Sequence, residues 1–213
     1  MSLEKERREY RYAGLDVDSL AEDPLTQFRR WLADIIEQGL SDPTAMCLST
    51  CAENGRPSQR IVLLKSFDKS GFVFFTNLKS RKSMEIRSNG RVSLLFPWLK
   101  LDRQVIIEGE AIELSREEVV KYFITRPKGS KIAAWSSRQS KPIQSRFQLE
   151  ECYEKTCNRF DGEDIPVPDF WGGYKVAPDF FEFWQGRENR LHDRFSFSLD
   201  DSSAVWIVNR LSP

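Results

Sequence analysis

With 213 residues the chain is long enough for one domain with a sizeable core. It has 32 Lys and Arg and 32 Asp and Glu, and the resulting net charge of zero argues against a general nucleic-acid binder. No apolar run approaches the roughly 20 residues of a membrane span, and the first twenty residues contain no hydrophobic signal segment. The four cysteines form no CxxC pair and there is one histidine, so no metal site is expected, and free thiols in the cytoplasm are favoured.

The chain begins with an arm and a helix. Residues 1–20 lack apolar periodicity and predict a mobile N-terminal arm, which leaves residues 21–213 as a single domain. Asp23 and Pro24 are typical of a helix N-cap and first turn, and Gly39 is typical of a helix end. The helix between them carries an apolar stripe made of Leu25, Phe28, Trp31, Leu32, Ile35 and Ile36.

From residue 45 the apolar period becomes two, which indicates strands. Segments 45–52 and 57–67 flank Asn54-Gly55, a pair that favours a type I′ hairpin turn. Further strands are predicted at 72–76, 91–98 and 103–114, and a short helix at 80–89 with Ser80 as its N-cap. Five successive antiparallel strands predict a meander that curls toward a barrel.

The second half predicts three helices and four strands. A capping box at Ser115 and Glu118 begins a helix over 115–125, and helices follow at 128–137 and 144–160. Strands are predicted near 174–176, 180–184, 194–198 and 204–209. The fold class is therefore α+β, an antiparallel barrel with helices packed outside.

No GxGxxG or GxxxxGK[ST] segment is present, so side chains and helix N-termini must hold any phosphate. Arg60 and Lys65 bound an apolar strand, and Arg81 and Lys82 occupy the first turn of a helix, where the helix dipole disfavours cations. A bound phosphate would resolve both conflicts. The alternative is that all four side chains extend into water.

A second set of donors follows the barrel strands. Tyr122 and Arg126 share a helix face, and Ser130 follows a Pro-Lys-Gly break where it would cap the next helix and bind a phosphate monoester. The alternative is an ordinary surface pair. Other polar residues suit the edge of a heteroaromatic ring, with simple exposure as their alternative: Gln104, Gln139 and Ser140.

The segment 190–194 places Arg190, His192 and Arg194 at alternate positions. In an extended strand these three cationic or titratable side chains share one face and favour an anionic or aromatic ligand. The alternative is a solvated edge strand on which charges discourage aggregation.

Together these segments resemble the pyridoxine (pyridoxamine) 5′-phosphate oxidase family over nearly the whole chain. The segments that carry the resemblance are RREY at 7–10, DPLTQF at 23–28, DPTAMCLST at 42–50, QRIVLLK at 59–65, FFTN at 74–77, SRK at 80–82, SLLFPW at 93–98, DRQV at 102–105, KYFITRPKGS at 121–130, RQS at 138–140, FWGGY at 170–174, EFWQG at 182–186, RLHDR at 190–194 and RLSP at 210–213. The ending RLSP departs from the commoner RLAP, and the length of the loop at 187–189 varies in the family.

The resemblance implies a homodimeric FMN-dependent split barrel with its active sites at the subunit interface. Such enzymes oxidise pyridoxine 5′-phosphate or pyridoxamine 5′-phosphate to pyridoxal 5′-phosphate by transfer of a hydride from substrate C4′ to flavin N5. Oxygen accepts the electrons as hydrogen peroxide, and ammonia leaves when the amine is the substrate.

The resemblance also implies the site residues. Those expected at FMN, some from the partner subunit, are Arg60, Ile61, Val62, Leu63, Leu64, Lys65, Phe75, Thr76, Arg81, Lys82, Gln104, Gln139, Ser140, Trp184 and Arg194. Those expected at the substrate are Arg7, Arg8, Glu9 and Tyr10 of a lid, with Lys65, Tyr122, Arg126, Ser130, Arg190, Leu191 and His192. Arg190 and His192 are the expected catalytic pair against the pyridine ring.

Three alternatives stay open at the level of sequence. A split-barrel flavin reductase would use a nicotinamide donor, which the Tyr122, Arg126 and Ser130 set disfavours. A carrier would bind FMN or pyridoxal phosphate without turnover. A nucleic-acid module is disfavoured by neutral charge and by aromatic residues that follow core periodicity.

Overall fold

The computed structural model describes residues 8–10, 14–200 and 202–213, and the predicted α+β class is confirmed there. Within these residues five α-helices, α1 to α5, are formed by Pro24–Glu37, Arg81–Ser88, Arg116–Phe123, Lys128–Ser136 and Arg146–Arg159. Nine strands, β1 to β9, are formed by Ala45–Cys51, Pro57–Leu63, Ser66–Asp68, Gly71–Asn77, Arg91–Trp98, Arg103–Glu113, Trp171–Gln185, Asp193–Asp200 and Val205–Leu211. Short 3-10 turns lie at Val17–Ser19, Leu99–Leu101 and Glu188–Arg190.

The helix ends follow the predicted capping residues. Asp23 Oδ1 accepts hydrogen bonds from two backbone N–H groups of the first turn of α1, both at 3.0 Å. Gly39 follows α1 with φ of 67°, a left-handed conformation that suits glycine. Ser115 and Glu118 form the predicted capping box of α3. Local sequence therefore determines where these helices begin and end.

The β1–β2 hairpin is present, but its turn differs from the prediction. Cys51 pairs with Pro57, which leaves residues 52–56 in the connection. Of Asn54 and Gly55, only Gly55 has a positive φ, of 80°. A type I′ turn requires positive φ at both central residues, so the predicted turn type is wrong and a longer loop joins the strands.

The strands form one sheet in the order β2-β1-β5-β6-β7-β4-β3, with β8 added to β7 and β9 to β8. The predicted meander is therefore wrong, because β1 pairs with β5 and β4 pairs with β7. Turn residues determine hairpins only, whereas the burial of apolar faces decides which distant strands pair. β2 and β3, at opposite ends of this order, are joined only by Leu64 and Lys65. Lys65 N–H donates to Val73 O of β4 at 2.8 Å, which closes the barrel at Lys65.

The long strand β7 splits the barrel. One edge of β7 pairs with β6, while its other edge pairs with β4 over residues 171–176 and with β8 over residues 180–185. The sequence predicted two separate strands here, near 174–176 and 180–184, and Pro178 between them lacks an N–H. A bulge between Glu108 and Gly109 accommodates Pro178 and keeps β7 continuous. A Cβ at Gly109 would lie 2.0 Å from Ala177 O, so this close approach requires glycine.

The core is rich in aromatic rings. Phe28 of α1 packs edge-on against Phe67, Phe72 and Phe96, with centroids 4.9–5.1 Å apart. Each fully buried ring of this kind contributes about 1.5–3 kcal/mol to the free energy of unfolding. The prediction for Ile36 is wrong, since it is 56% exposed at the far side of α1. The core therefore lies between α1 and the inner face of the barrel.

The described residues lack two other kinds of feature. No group of three or more His, Cys, Asp or Glu side chains is arranged there as a metal ion would require. Each helix in this part of the chain is too short or too polar to cross a membrane. The four cysteines are free: Cys47, Cys51, Cys152 and Cys157.

Candidate active site

A buried lysine lies at the start of α2. Lys82 is 8% exposed, and its Nζ donates hydrogen bonds to Gln139 Oε1 at 2.8 Å and Thr76 Oγ1 at 3.0 Å. No carboxylate pairs with this ammonium group among the residues that the structure describes. Burial and the nearby Arg60 guanidinium lower the pKa of Lys82 to about 8. A desolvated cation held by neutral groups is stabilised by an anion, so this position is a candidate phosphate site.

Two arginines beside Lys82 share one carboxylate. Glu85 Oε1 accepts from Arg81 Nε at 2.7 Å, and Glu85 Oε2 lies 3.5 Å from Arg60 Nη2. Burial alone would raise the pKa of Glu85, yet hydrogen bonds from Ser58, Thr50 and Arg81 outweigh it and lower the pKa to about 2. Glu85 is therefore ionised at neutral pH and connects α2 to the barrel strands.

Three parallel aromatic rings stack beside Arg126. Phe75 lies between Tyr122 and Trp171, with ring centroids 4.0 Å and 5.3 Å away and interplanar angles of 10° and 3°. The Arg126 guanidinium lies 4.6 Å from the Trp171 ring centroid. Its Nη1 is buried and has no hydrogen-bond partner in the described part of the chain. Burial lowers the pKa of Arg126, although Tyr122 opposes this effect. An anionic ligand would offset the unfavourable free energy of this buried, unpaired donor.

The Lys82 position and the aromatic stack with Arg126 border one cleft of about 360 Å³. Arg126 and the aromatic stack line it, as do Thr76 and Gln139, the two partners of Lys82. Lys65, at the closure point of the barrel, also lines it. Ligand clefts span roughly 300–1,000 Å³, so the volume suits one aromatic ligand in a single protomer.

A second group of predicted residues lies at the far end of β7. Tyr10 packs edge-on against Trp184 and His192, with centroids 5.7 Å and 5.3 Å away. The Arg190 guanidinium lies 5.8 Å from the Tyr10 ring centroid. A Cβ at Gly186 would lie 2.8 Å from the Tyr10 ring, so the packing depends on glycine there. The predicted lid residue therefore contacts the predicted catalytic segment within one chain.

The imidazole of His192 has a defined hydrogen bond. Its Nδ1 accepts from the backbone N–H of Arg187 at 3.1 Å, so the neutral ring carries its proton on Nε2. Burial and then the Arg190 guanidinium lower the pKa of His192, while the Asp193 carboxylate opposes them. The neutral imidazole is therefore favoured at neutral pH.

Three polar or aromatic residues form a row across adjacent strands. Gln104 of β6 lies opposite Trp184 of β7, and Trp184 lies opposite Arg194 of β8. Directly opposed residues of antiparallel strands share a face, so the three side chains lie side by side. Arg194 donates to Glu182 Oε1 at 2.7 Å and to Oε2 at 3.0 Å. We call these residues the C-terminal group, because most of them follow the end of β7 or lie near it. The group consists of Tyr10, Gln104, Trp184, Arg190, His192 and Arg194.

The C-terminal group and the cleft lie at opposite ends of β7. Gly172, which pairs with Thr76 of the cleft, precedes Trp184 by twelve residues. Extended strand advances about 3.3 Å per residue, so up to about 40 Å of strand separates the two groups. Arg190 and His192 therefore do not line the cleft of their own protomer.

The prediction for residues 190–194 needs two corrections. Glu188–Arg190 forms a 3-10 turn in which Asn189 and Arg190 have φ of 56° and 63°, so the segment is not extended and β8 begins only at Asp193. The three side chains therefore do not alternate on one strand face. Arg194 is not an unpaired cation either, because Glu182 binds it through both carboxylate oxygens.

The N-terminal and α4 residues have mixed outcomes. Arg7 lies outside the described residues, whereas Arg8 pairs with Asp102. Ser130 lies in the first turn of α4, whose N-cap is Pro127, so the prediction that Ser130 caps the helix is wrong. Three further predicted site residues are exposed: Glu9, Ser140 and Leu191.

Strand β2 does not bury its apolar residues as the sequence suggested. It is an edge of the sheet order, and Ile61 and Leu63 are 63% and 41% exposed. Val62 packs partly against the core, and Leu64 is buried. The predicted FMN segment 60–65 therefore presents two apolar side chains to the surface of the protomer.

Sequence reasoning missed three residues of these groups. Glu85 follows Arg81 by four residues, a spacing that indicates an ion pair on a helix. Glu182 precedes Trp184 by two residues and so shares its strand face, where it binds Arg194. Trp171 gave no signal beyond its place before two glycines.

Two family models match the chain. The model described as pyridoxamine 5′-phosphate oxidase matches residues 32–152. The model described as the pyridoxine 5′-phosphate oxidase C-terminal dimerisation region matches residues 171–213. The first covers β1 to β6 and α2 to α4, and the second covers β7, β8 and β9.

Known proteins match along the whole length. The pyridoxine/pyridoxamine 5′-phosphate oxidase of Hahella chejuensis is 52% identical to this chain, and the match covers 100% of both proteins. The protein of the same name from Proteus mirabilis is 54% identical, over 97% of this chain and 94% of that one. The crystal structure of PhzG from Burkholderia lata 383 with tetrahydrophenazine-1-carboxylic acid has a TM-score of 0.86 and 29% identity, over 94% of this chain and 100% of that chain.

Proposed function

Because the chain belongs to the pyridoxamine 5′-phosphate oxidase family, we propose that it oxidises pyridoxine 5′-phosphate and pyridoxamine 5′-phosphate to pyridoxal 5′-phosphate. The observation that carries this proposal is a pair of cationic positions beside one cleft. Lys82 and Arg126 are each desolvated, and neither has a carboxylate partner within the described ranges. Two such positions suit two phosphate groups, one on the cofactor and one on the substrate.

FMN is the cofactor, and when bound it supplies the acceptor for a hydride from C4′ of the substrate. Lys82, Arg60 and Arg81 hold its phosphate. Their arrangement fits a dianion because, among the residues that the structure describes, Glu85 is the one carboxylate paired with these cations. Thr76 and Gln139 hold the Lys82 ammonium group in place. The other residues proposed at the cofactor are Ile61, Val62, Leu63, Leu64, Lys65, Phe75 and Ser140, with Gln104, Trp184 and Arg194 of the partner subunit.

The substrate phosphate binds at Arg126, together with Lys65, Tyr122 and Ser130. Arg126 provides a planar set of donors, and the stack that holds its guanidinium limits the conformations lost on binding. Held in this way, C4′ is oriented for the reaction, since positioning of reactants supplies much of the rate enhancement. The chain needs no nucleophile and little acid–base chemistry for this step.

Arg190 and His192 act on the pyridine ring. The neutral His192 donates its Nε2 proton to a ring substituent, because Nδ1 is engaged by the Arg187 N–H. Arg190 packs against the ring, as its guanidinium packs against the ring of Tyr10. Arg8, Glu9 and Tyr10 belong to a lid over this site, which the contacts of Tyr10 with Trp184 and His192 support. Of the predicted arm, residues 1–7 and 11–13 lie outside the described residues, and Leu15 packs in the core.

The chain forms a homodimer, and each active site lies at the subunit interface. The separation of the two groups along β7 supports this arrangement, since the cleft of one protomer lacks the catalytic pair of its own chain. Oxygen accepts the electrons and leaves as hydrogen peroxide, and the amine substrate also yields ammonia. The free cysteines suit a reducing compartment, so we place the enzyme in the cytoplasm.

Absorption spectroscopy of the purified protein tests this function. We expect a yellow protein that contains on the order of one flavin per chain. Its flavin absorption should bleach under anaerobic conditions when pyridoxine 5′-phosphate is added. Air should restore the colour and produce hydrogen peroxide. Failure to bleach, with oxidation of NADPH instead, would indicate a reductase. Bound flavin without bleaching or peroxide would indicate a carrier.

The pKa of Lys82 makes FMN affinity depend on pH. Lys82 has a pKa of about 8 in the ligand-free protein, and a bound phosphate dianion raises it. Above about pH 8, FMN binding must therefore take up a proton, and the affinity should fall by up to about tenfold per pH unit. Titration of the apoprotein with FMN from about pH 7 to 9.5, followed by flavin fluorescence, measures this slope.

Two variants separate Lys82 from other titrating groups. Lys82→Arg stays charged across this pH range, so its FMN affinity should not change with pH between about 7 and 9.5. Lys82→Ala should retain FMN poorly at every pH, which dialysis measures. The assignment to Lys82 fails if Lys82→Arg shows the same pH slope as the wild-type protein.

A further inference from the structure

Glu85 connects three elements of the barrel through one carboxylate. Its Oε2 accepts hydrogen bonds from Thr50 of β1 at 2.5 Å and from Ser58 of β2 at 2.6 Å. Its Oε1 accepts from Arg81 of α2 at 2.7 Å. The side chain is only 6% exposed. A buried carboxylate with this many donors is ionised and held in one position.

The same network fixes Arg60. Arg60 Nη1 donates to Leu48 O at 3.1 Å and to Thr50 Oγ1 at 2.6 Å, and its Nη2 donates to Ser58 Oγ and lies 3.5 Å from Glu85 Oε2. Thr50 and Ser58 thus contact both Arg60 and Glu85. Burial lowers the pKa of Arg60, the Glu85 carboxylate opposes this effect, and the nearby Arg81 guanidinium lowers the pKa further.

This cluster of four charged side chains, which includes Glu85, has an excess of positive charge. Arg60, Arg81 and Lys82 carry three positive charges and Glu85 carries one negative charge, so two positive charges remain uncompensated. A phosphate monoester carries close to two negative charges at neutral pH, because its second pKa is about 6. The cluster therefore matches the charge of a phosphate group and would exceed it without Glu85.

We propose that Glu85 is a positioning residue of the phosphate site for FMN: it holds Arg60 and Arg81 in the geometry that receives the phosphate and sets the charge of the cluster. The inference rests on the proposed function, which places the FMN phosphate at these cations. Glu85 acts through the two arginines and does not itself contact the phosphate, since two anionic groups would repel each other.

Simple attraction and positioning predict opposite results when the carboxylate is removed. If only the sum of charges mattered, Glu85→Gln would add one positive charge to the site and tighten FMN binding. If Glu85 positions the arginines, the variant should bind FMN more weakly, because the amide has only one acceptor oxygen and no charge, so it cannot bind Arg60 and Arg81 together or offset their repulsion. We expect the dissociation constant for FMN to rise about 10- to 100-fold.

The experiment titrates apoproteins with FMN and, separately, with riboflavin, and follows flavin fluorescence. Riboflavin lacks the phosphate, so its dissociation constant should change by less than about twofold in Glu85→Gln. Glu85→Asp keeps the charge but shortens the side chain, and it should also weaken FMN binding. Asp179→Asn is the matched control, because it removes a carboxylate that pairs with Arg91 on another strand, and it should bind FMN as the wild-type protein does.

The outcomes separate this inference from the proposed function. Unchanged or tighter FMN binding by Glu85→Gln overturns the positioning role, as does an equal loss of FMN and riboflavin affinity. A wild-type apoprotein that binds neither flavin contradicts the proposed function itself. If Glu85→Gln does not fold, Glu85→Asp decides in its place, because it keeps the charge and should weaken FMN binding several-fold only if the position of the carboxylate matters, while riboflavin binding stays constant.

Discussion

Replacing Arg126 with alanine is expected to lower kcat/KM for pyridoxine 5′-phosphate by about 100-fold or more, mainly through a higher KM. The guanidinium is desolvated, lies over Trp171, and has a buried nitrogen without a partner in the described residues. Its interaction with a phosphate is therefore formed without reorganisation, and a charged hydrogen bond of this kind contributes about 2–4 kcal/mol. Steady-state kinetics with both substrates measure the effect.

The variant Arg159→Ala is the matched control for Arg126→Ala. Arg159 also lies over aromatic rings, 5.0 Å from the Trp135 centroid and 4.9 Å from the Phe160 centroid, but it does not line the cleft. Its replacement removes a similar stacking contact and should leave KM unchanged. FMN retention should be normal in both variants, because neither side chain belongs to the cofactor set. A normal KM in Arg126→Ala would place the substrate phosphate elsewhere.

The parts of the fold that depend on neighbouring residues could be predicted from the sequence. Asp23 with Pro24, Gly39, and the Ser115–Glu118 capping box each act within one turn of chain, and the structure confirms them. The strand order could not be predicted in this way, because β1–β5 and β4–β7 pairing depends on faces distant in sequence. The continuity of β7 through Pro178 depends in turn on Gly109 of its neighbour, which no local rule connects to it.

Residues of the candidate site were likewise predictable only where the signal is local in sequence. Lys82 conflicts with its own helix dipole, and that local conflict indicated an anion site before any contact was known. The alternation at 190–194 predicted the wrong geometry, because Asn189 and Arg190 adopt left-handed conformations that the side-chain pattern does not encode. The role of Glu182 depended on a tertiary contact, because it binds Arg194 of the neighbouring strand. The Arg81–Glu85 pair lies within one helix turn, and its spacing in the sequence already indicates it.

Mixing two inactive variants is expected to restore activity if the cleft of one subunit is completed by Arg190 of the other. Arg126→Ala and Arg190→Ala should each retain about 1% of wild-type kcat/KM or less, since each removes a charged substrate contact. In a mixed dimer one interface site has both alanines and the other has both arginines. Random exchange of subunits at equal concentrations gives mixed dimers as half of the population, so about a quarter of all sites become intact. Activity should therefore rise about 25-fold or more on subunit exchange, as measured after mild unfolding and refolding of the mixture.

The reciprocal mixture supplies the control, because it reverses the direction of the change. When wild-type protein is exchanged with the double variant Arg126→Ala/Arg190→Ala, each mixed dimer has one alanine in each of its two sites. Before exchange the mixture should have about one half of the activity of the same total amount of wild-type protein. After exchange it should have about one quarter, because only the wild-type homodimers keep intact sites. If Arg126 and Arg190 of the same chain formed a site, the first mixture would gain nothing and the second would stay at about one half. Arg126 lies over Trp171 at the start of β7, whereas Arg190 follows the end of β7, so the length of this strand between them argues for the shared site.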